Sequence, residues 1–131
     1  MPQKAKGGMF IKFPLDDEYV GALQNWKKDL EAKGELLSLR EILEREIIKL
    51  DKTTGIRQAL KLDQAPLIFD APTNCDRIPV RLKNEDVINV INEASETSQR
   101  SISKVLYTLV RTVLDDSPYA PYAGKTQRKT G

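Results

Sequence analysis

Hydrophobic and polar positions change period along this chain in the same order twice. Met9-Phe-Ile-Lys-Phe-Pro-Leu15 is a short run rich in β-forming residues. The acids Asp16-Asp17-Glu18 follow, suited to the positive end of a helix, and Tyr19, Val20, Leu23, Trp26 and Leu30 then recur at helical spacing. Gly34 is placed to end that helix, because glycine accepts the left-handed conformation past a C-terminus. Ser38-Leu-Arg-Glu41 predicts a capping box, in which the serine hydroxyl accepts from a free backbone N–H while the glutamate reaches back. Behind it Leu39, Ile42, Leu43, Ile47 and Leu50 form an apolar stripe, with Glu41, Glu44, Arg45, Glu46 and Lys49 filling most of the remainder.

Residues 52–76 carry Gly55, Pro66 and Pro72 and no sustained period, and read as a connector whose one apolar cluster is Leu67-Ile68-Phe69. The pattern then returns. Arg77-Ile-Pro-Val-Arg-Leu82 alternates, with Ile78, Val80 and Leu82 on one face and Arg77, Pro79 and Arg81 on the other. Asn84-Glu85-Asp86 opens a helix with Val87, Ile88, Ile91 and Ala94 on its apolar side, and Thr97-Ser-Gln-Arg100 breaks it. Ser101 starts the last helix, where Ile102, Val105, Leu106, Leu109, Val110, Val113 and Leu114 make a broad apolar face before Asp115-Asp-Ser-Pro118 stops it. Residues 1–8, with Lys4 and Lys6, read as a flexible arm, and residues 117–131, with Lys125, Arg128 and Lys129, as a mobile tail.

The two copies align by counting. Ser38 meets Ser101, Ile42 Val105, Leu43 Leu106 and Ile47 Val110 at an offset of 63, while Tyr19 meets Val87 and Leu23 Ile91 at 68. The difference of five residues is extra length around Gly34–Leu37, and the strands match at 67 or 69, both of which keep the in/out parity. One strand–helix–helix motif is therefore written twice, at 9–51 and 77–116. A single unit would leave both strand edges and an apolar helix face open. Pairing two units makes an antiparallel ribbon over a four-helix core, and the long connector returns the chain to the ribbon. The expected fold is mainly α with a short two-stranded antiparallel β-ribbon, the two repeats intertwined as a tandem pseudo-dimer.

Ile78-Pro-Val-Arg-Leu82 with Glu85, Val87, Ile88, Ile91, Glu96-Thr97, Arg100-Ser101, Ser103, Val105 and Leu106 resembles the ribbon-helix-helix DNA-binding family. Ile11-Lys-Phe-Pro-Leu-Asp-Asp-Glu18 through Leu50 is similar in a looser form. The tandem, single-chain arrangement resembles plasmid-transfer accessory proteins of the conjugation relaxosome. The resemblance implies a ribbon lying in the DNA major groove, with outward side chains reading base edges. Mapped onto this chain, those residues are Phe10, Lys12, Arg77, Pro79 and Arg81, and the core face is Met9, Ile11, Phe13, Leu15, Ile78, Val80 and Leu82. The family also binds backbone phosphates at the start of its second helix, which implicates Ser38 and Leu39 in the first copy and Arg100, Ser101, Ile102, Ser103 and Lys104 in the second. Ser38 is equally suited to a capping role alone.

The copies differ in ways that bear on binding. Arg100-Ser-Ile-Ser-Lys104 is basic and rich in hydroxyls, whereas Ser38-Leu-Arg-Glu41 ends on a carboxylate that opposes a phosphate. Residues 1–51 hold nine basic and ten acidic side chains, and residues 77–131 hold nine and six. An asymmetric reader follows, with the second copy gripping DNA more tightly. Pro14 and Pro79 each remove a ladder donor, so the ribbon is expected to be short or bulged near one of them.

Composition narrows the chemistry further. The 131 residues carry a net charge of +2, which excludes a polycation that binds nucleic acid by bulk charge alone. Histidine is absent and Cys75 is the single cysteine, so neither an imidazole acid–base nor an intramolecular disulfide is available. No apolar run approaches the roughly 20 residues of a membrane span, and the N-terminus lacks the apolar stretch of a signal peptide. The expectation is a cytoplasmic, DNA-associated, non-enzymatic protein that needs no cofactor and contacts no membrane. It binds double-stranded DNA as a transcriptional repressor or as an accessory factor at a plasmid transfer origin. Expected protein partners are further copies of itself on adjacent sites and a relaxase or other plasmid-transfer protein. The alternative is a protein-interaction module whose DNA binding is vestigial.

Overall fold

A computed structural model of the chain describes residues 8–70, 72 and 75–121. Within them lie two strands and five helices: β1 (Met9–Pro14), α1 (Asp17–Ala32), α2 (Leu39–Thr53), α3 (Ile56–Ala59), β2 (Arg77–Leu82), α4 (Glu85–Ser98) and α5 (Ile102–Asp115). Lys4 and Lys6 of the arm and Lys125, Arg128 and Lys129 of the tail fall outside the described residues.

β1 and β2 pair antiparallel, from Met9 opposite Leu82 to Pro14 opposite Arg77, with every intervening residue in register. The shortening or bulge expected at a proline is thus absent. Each strand of a two-stranded ribbon is an edge, where a proline whose missing N–H would face away from the partner strand costs no ladder bond. The period of two sorts the side chains as expected: Met9, Ile11, Phe13, Val80 and Leu82 are buried and Ile78 is half-buried. Leu15 continues the buried set.

That inner face lies on a core drawn from every helix. Equivalent positions of α2 and α5 are all buried: Ile42 and Val105, Leu43 and Leu106, Ile47 and Val110. Val87, Ile88, Ile91 and Ala94 of α4 are fully enclosed. The helix ends follow local chemistry. Ser38 and Glu41 form the reciprocal capping box, Glu41 N–H donating to Ser38 Oγ at 3.2 Å and Ser38 N–H to Glu41 Oε1 at 3.0 Å. Asn84 caps α4 by accepting from the Asp86 and Val87 N–H groups at 2.9 and 3.2 Å. Ser101 caps α5 by accepting from Lys104 N–H at 3.2 Å. α1 ends in a Schellman turn: Gly34 sits at φ +89°, its N–H donates to Glu31 O, and Glu35 N–H donates back to Leu30 O. The tighter α4–α5 turn places Gln99, not glycine, in the left-handed region at φ 58°.

The connector is more structured than its sequence suggested. α2 runs on to Thr53, α3 forms a single turn, and Ile56, Leu60 and Leu62 enter the core. These three apolar residues span too few positions to register as a period. Of the expected apolar cluster, Ile68 and Phe69 pack on the core while Leu67 is exposed. The Phe69 N–H donates to Thr108 Oγ1 at 2.9 Å, and its ring lies 4.3 Å from the Arg111 guanidinium carbon, which fixes the connector along α5. Past α5 the chain turns back on α1, where Tyr119 stacks on Trp26 with ring centroids 5.3 Å apart and its hydroxyl donates to Asp29. Among the described residues no helix is long and apolar enough to cross a membrane.

Candidate nucleic-acid interface

The outer face of the ribbon brings together all five residues expected to read bases. Phe10, Lys12, Arg77, Pro79 and Arg81 are each exposed, and the register sets Phe10 against Arg81, Lys12 against Pro79, and Pro14 against Arg77. Phe10 is 47% exposed, an unusual position for a large apolar side chain. The Arg81 guanidinium carbon lies 5.3 Å from the centre of its ring, a cation–π stack across the two strands. At the other end, Arg77 Nη1 donates to the Lys12 carbonyl at 3.2 Å and to Ser103 Oγ at 3.5 Å, while the Ser103 hydroxyl donates to the same carbonyl at 3.2 Å. Both arginines are thereby held in place along the ribbon. Arginine forks so held lose less freedom on meeting a planar acceptor.

Ser103 also docks the first turn of α5 against the ribbon. Ser101 is exposed and Ile102, Ser103 and Lys104 are half-buried there, with no acidic side chain in the turn. The first N–H groups of a helix lack partners within it and, with the helix dipole, favour an anion. Arg100 is exposed just ahead of the cap. Lys104 Nζ lies 3.7 Å from Asp70 of the connector, an exposed ion pair of little strength. α2 differs. Its Ser38 hydroxyl and Ser38 N–H are both engaged with Glu41, and these two groups hold the Glu41 carboxyl below the usual range for a glutamate. Leu39 is half-buried beside that carboxylate. The two helix starts that align in sequence therefore differ in local charge, α2 opening on Arg40 and Glu41 and α5 flanked only by Arg100 and Lys104.

Two side chains to which the sequence pattern assigns no role at the ribbon fasten it to the helices. Glu44, on α2, is buried, and its Oε2 accepts the Lys83 and Asn84 N–H groups at 2.7 Å each while Oε1 accepts Arg40 Nη1 at 2.8 Å. Tyr107, on α5, donates its hydroxyl to Asp16 Oδ1 at 2.6 Å. Glu44 thus grips the junction of β2 with α4, and Tyr107 grips the junction of β1 with α1. Residues 44 and 107 occupy equivalent positions, separated by the same 63 that relate α2 to α5. Around Tyr107, Arg111 donates to its hydroxyl at 3.4 Å and to that of Tyr19 at 3.3 Å, and Tyr19 donates to Asp115 at 2.8 Å. Burial first, and then the neighbouring carboxylates, push both tyrosines up to about 12.

An open groove of about 700 Å³ lies elsewhere, between α3 and α4. Its main charged residues are spent on one another, with Arg57 donating to Asp63 and, at 2.6 Å, to Glu93. No protein-family model, curated protein or solved structure matches this chain.

Proposed function

We propose that this chain is a tandem ribbon-helix-helix protein, a single-chain pseudo-dimer that binds duplex DNA sequence-specifically by laying the β1–β2 ribbon in the major groove. One observation carries the reading: an isolated antiparallel ribbon buries its apolar face and turns outward two arginines, a lysine and an exposed phenylalanine. A major groove about 12 Å wide admits such a ribbon, and these side chains match guanine acceptors and thymine methyl groups. The pseudo-dimer is supported by the repeated strand–helix–helix order and by the exchanged clamps. The second helix of each copy holds the strand–helix junction of the other, through Glu44 and Tyr107.

In this reading the start of α5 takes a backbone phosphate on the Ile102 and Ser103 N–H groups, with Arg100 and Lys104 beside it. The start of α2, which carries Glu41, grips less. No cofactor and no catalysis are required. The protein acts as a repressor or as an accessory factor at a transfer origin, with further copies on neighbouring sites and a relaxase among its candidate partners.

The test is selection of random duplex DNA on the purified chain at near-physiological salt, followed by a binding titration. A short enriched motif is expected, with affinity that falls as salt rises because bound phosphates release counterions. Arg77→Glu with Arg81→Glu should abolish the complex while leaving the fold intact. Absence of enrichment, or binding that survives the charge reversal, refutes the proposal and leaves a protein-interaction module as the working alternative.

A further inference from the structure

We infer that the Phe10–Arg81 end of the ribbon reads a T·A pair directly beside a G·C pair, and that the recognised site is for this reason not a palindrome. The inference rests on the proposed DNA-binding reading and specifies what that surface recognises. Phe10 and Arg81 stand directly opposite in the register, and the guanidinium carbon lies 5.3 Å from the ring centre. The two side chains therefore present one composite surface, a guanidinium stacked on a ring. Their chemistries differ and so do their targets. A guanidinium donates bidentately to O6 and N7 of guanine, while an aromatic edge finds its apolar contact on the major-groove floor in the 5-methyl of thymine. One base pair cannot supply both. Two targets reached by side chains in stacking contact lie on successive pairs, which are about 3.4 Å apart along the helix axis.

The opposite end cannot read the same step. A half-turn of the ribbon about the Lys12–Pro79 pair exchanges Phe10 with Arg77 and Pro14 with Arg81. There the arginine faces Pro14, which is buried, and is held instead by the Lys12 carbonyl and Ser103. A guanidinium without an aromatic neighbour recognises guanine with no demand for an adjacent thymine. The two halves of the site are thus chemically unequal, whatever sequence lies between them.

The experiment uses the full chain and its selected duplex in a fluorescence-polarisation titration. Each thymine is replaced in turn by deoxyuridine, which lacks only the 5-methyl, and each guanine by 7-deazaguanine, which lacks the N7 acceptor. One thymine should lose about fourfold in affinity, the value of one buried methyl. A guanine in the adjacent pair should lose about tenfold. In Phe10→Ala the deoxyuridine effect should vanish, and in Arg81→Ala the 7-deazaguanine effect at that guanine should vanish. Both residues are exposed, so both variants should keep the parent circular dichroism spectrum. A methyl effect that persists in Phe10→Ala, no sensitive thymine, or sensitive bases on separated pairs overturns the inference while leaving sequence-specific binding standing. Failure to bind any duplex specifically overturns the underlying reading, and this inference with it.

Discussion

Replacing Glu44 by alanine tests whether the ribbon is held by the clamp at its β2 end. The buried carboxylate accepts two backbone N–H groups at 2.7 Å, from Lys83 and Asn84. Hydrogen bonds to an ionised group contribute about 1.5–3 kcal/mol each, and stranding a buried donor costs a similar amount. Against this stand the few tenths of a kcal/mol by which alanine is the better helix former, and the access of water to a junction that is only partly buried. The expected net loss is about 3 kcal/mol, or about 10 °C in melting temperature for a domain of this size. Arg40 makes only an i,i+4 pair with the same carboxylate on a partly exposed surface, so Arg40→Ala should cost less than about 1 kcal/mol. Urea titrations followed by circular dichroism measure both values. Amide hydrogen exchange gives the local readout, since the Lys83 and Asn84 amides should lose protection before the helix interiors do. A loss below about 1 kcal/mol for Glu44→Ala, with those two amides unchanged, would refute the clamp.

Three further outcomes follow from the same contacts. Tyr19 and Tyr107 hold their protons up to about 12 when folded, against an ordinary value of 10.0. Their contribution is therefore complete below pH 10 and is lost as pH rises from 10 to 12. At pH 11 the pair should have lost about 2–3 kcal/mol, and Tyr19→Phe with Tyr107→Phe should flatten that part of the stability–pH curve; an unchanged slope refutes the assignment. Gln99 occupies the left-handed region at φ 58°, so Gln99→Gly should stabilise the α4–α5 turn by about 0.5–1 kcal/mol, and a lower melting temperature would contradict this. Glu41→Gln keeps the capping box and removes its charge, so DNA affinity at low salt should rise about threefold, an effect that high salt erases. Unaltered affinity would mean that the start of α2 stands away from the phosphates.

The sequence carried the local structure well because period and capping are local properties. The alternation in β2 and the apolar faces of α4 and α5 recur in the structure, as does the Ser38–Glu41 capping box, with Tyr107 and Thr108 buried beyond the expected face of α5. α3 did not stand out, since a single turn offers no second turn against which to match a period. Glu44 read as one more polar residue on an amphipathic helix. Its burial depends on a junction 39 and 40 residues further along the chain, which no local window contains. Tyr107 has the same history, because its acceptor Asp16 lies 91 residues away. The outward residues of the ribbon were legible by parity, but the Phe10–Arg81 stack was not, since it requires the pairing register.

Divergence between the two copies is distributed according to what each position must do. Where equivalent side chains of α2 and α5 fill the core, the replacements are close: Ile42 against Val105, Leu43 against Leu106, Ile47 against Val110, all buried. Packing at near-crystalline density tolerates little more. At the junctions the chemistry changes completely while the task is kept, a carboxylate at 44 holding the β2–α4 junction and a phenol at 107 the β1–α1 junction. On the outer face even the kind of contact changes, from Phe10 and Lys12 on one strand to Arg77, Pro79 and Arg81 on the other. A dimer of identical chains has no such freedom, because every substitution appears twice and the ribbon must present the same residues at both ends. In the proposed pseudo-dimer, joining the copies in one chain lifts that constraint from the outward positions of the ribbon. The proposed interface uses the freedom this provides: Arg81 stacked on an aromatic ring at one end, Arg77 tied to backbone and hydroxyl at the other, and one helix start carrying its own anion where the other awaits a phosphate.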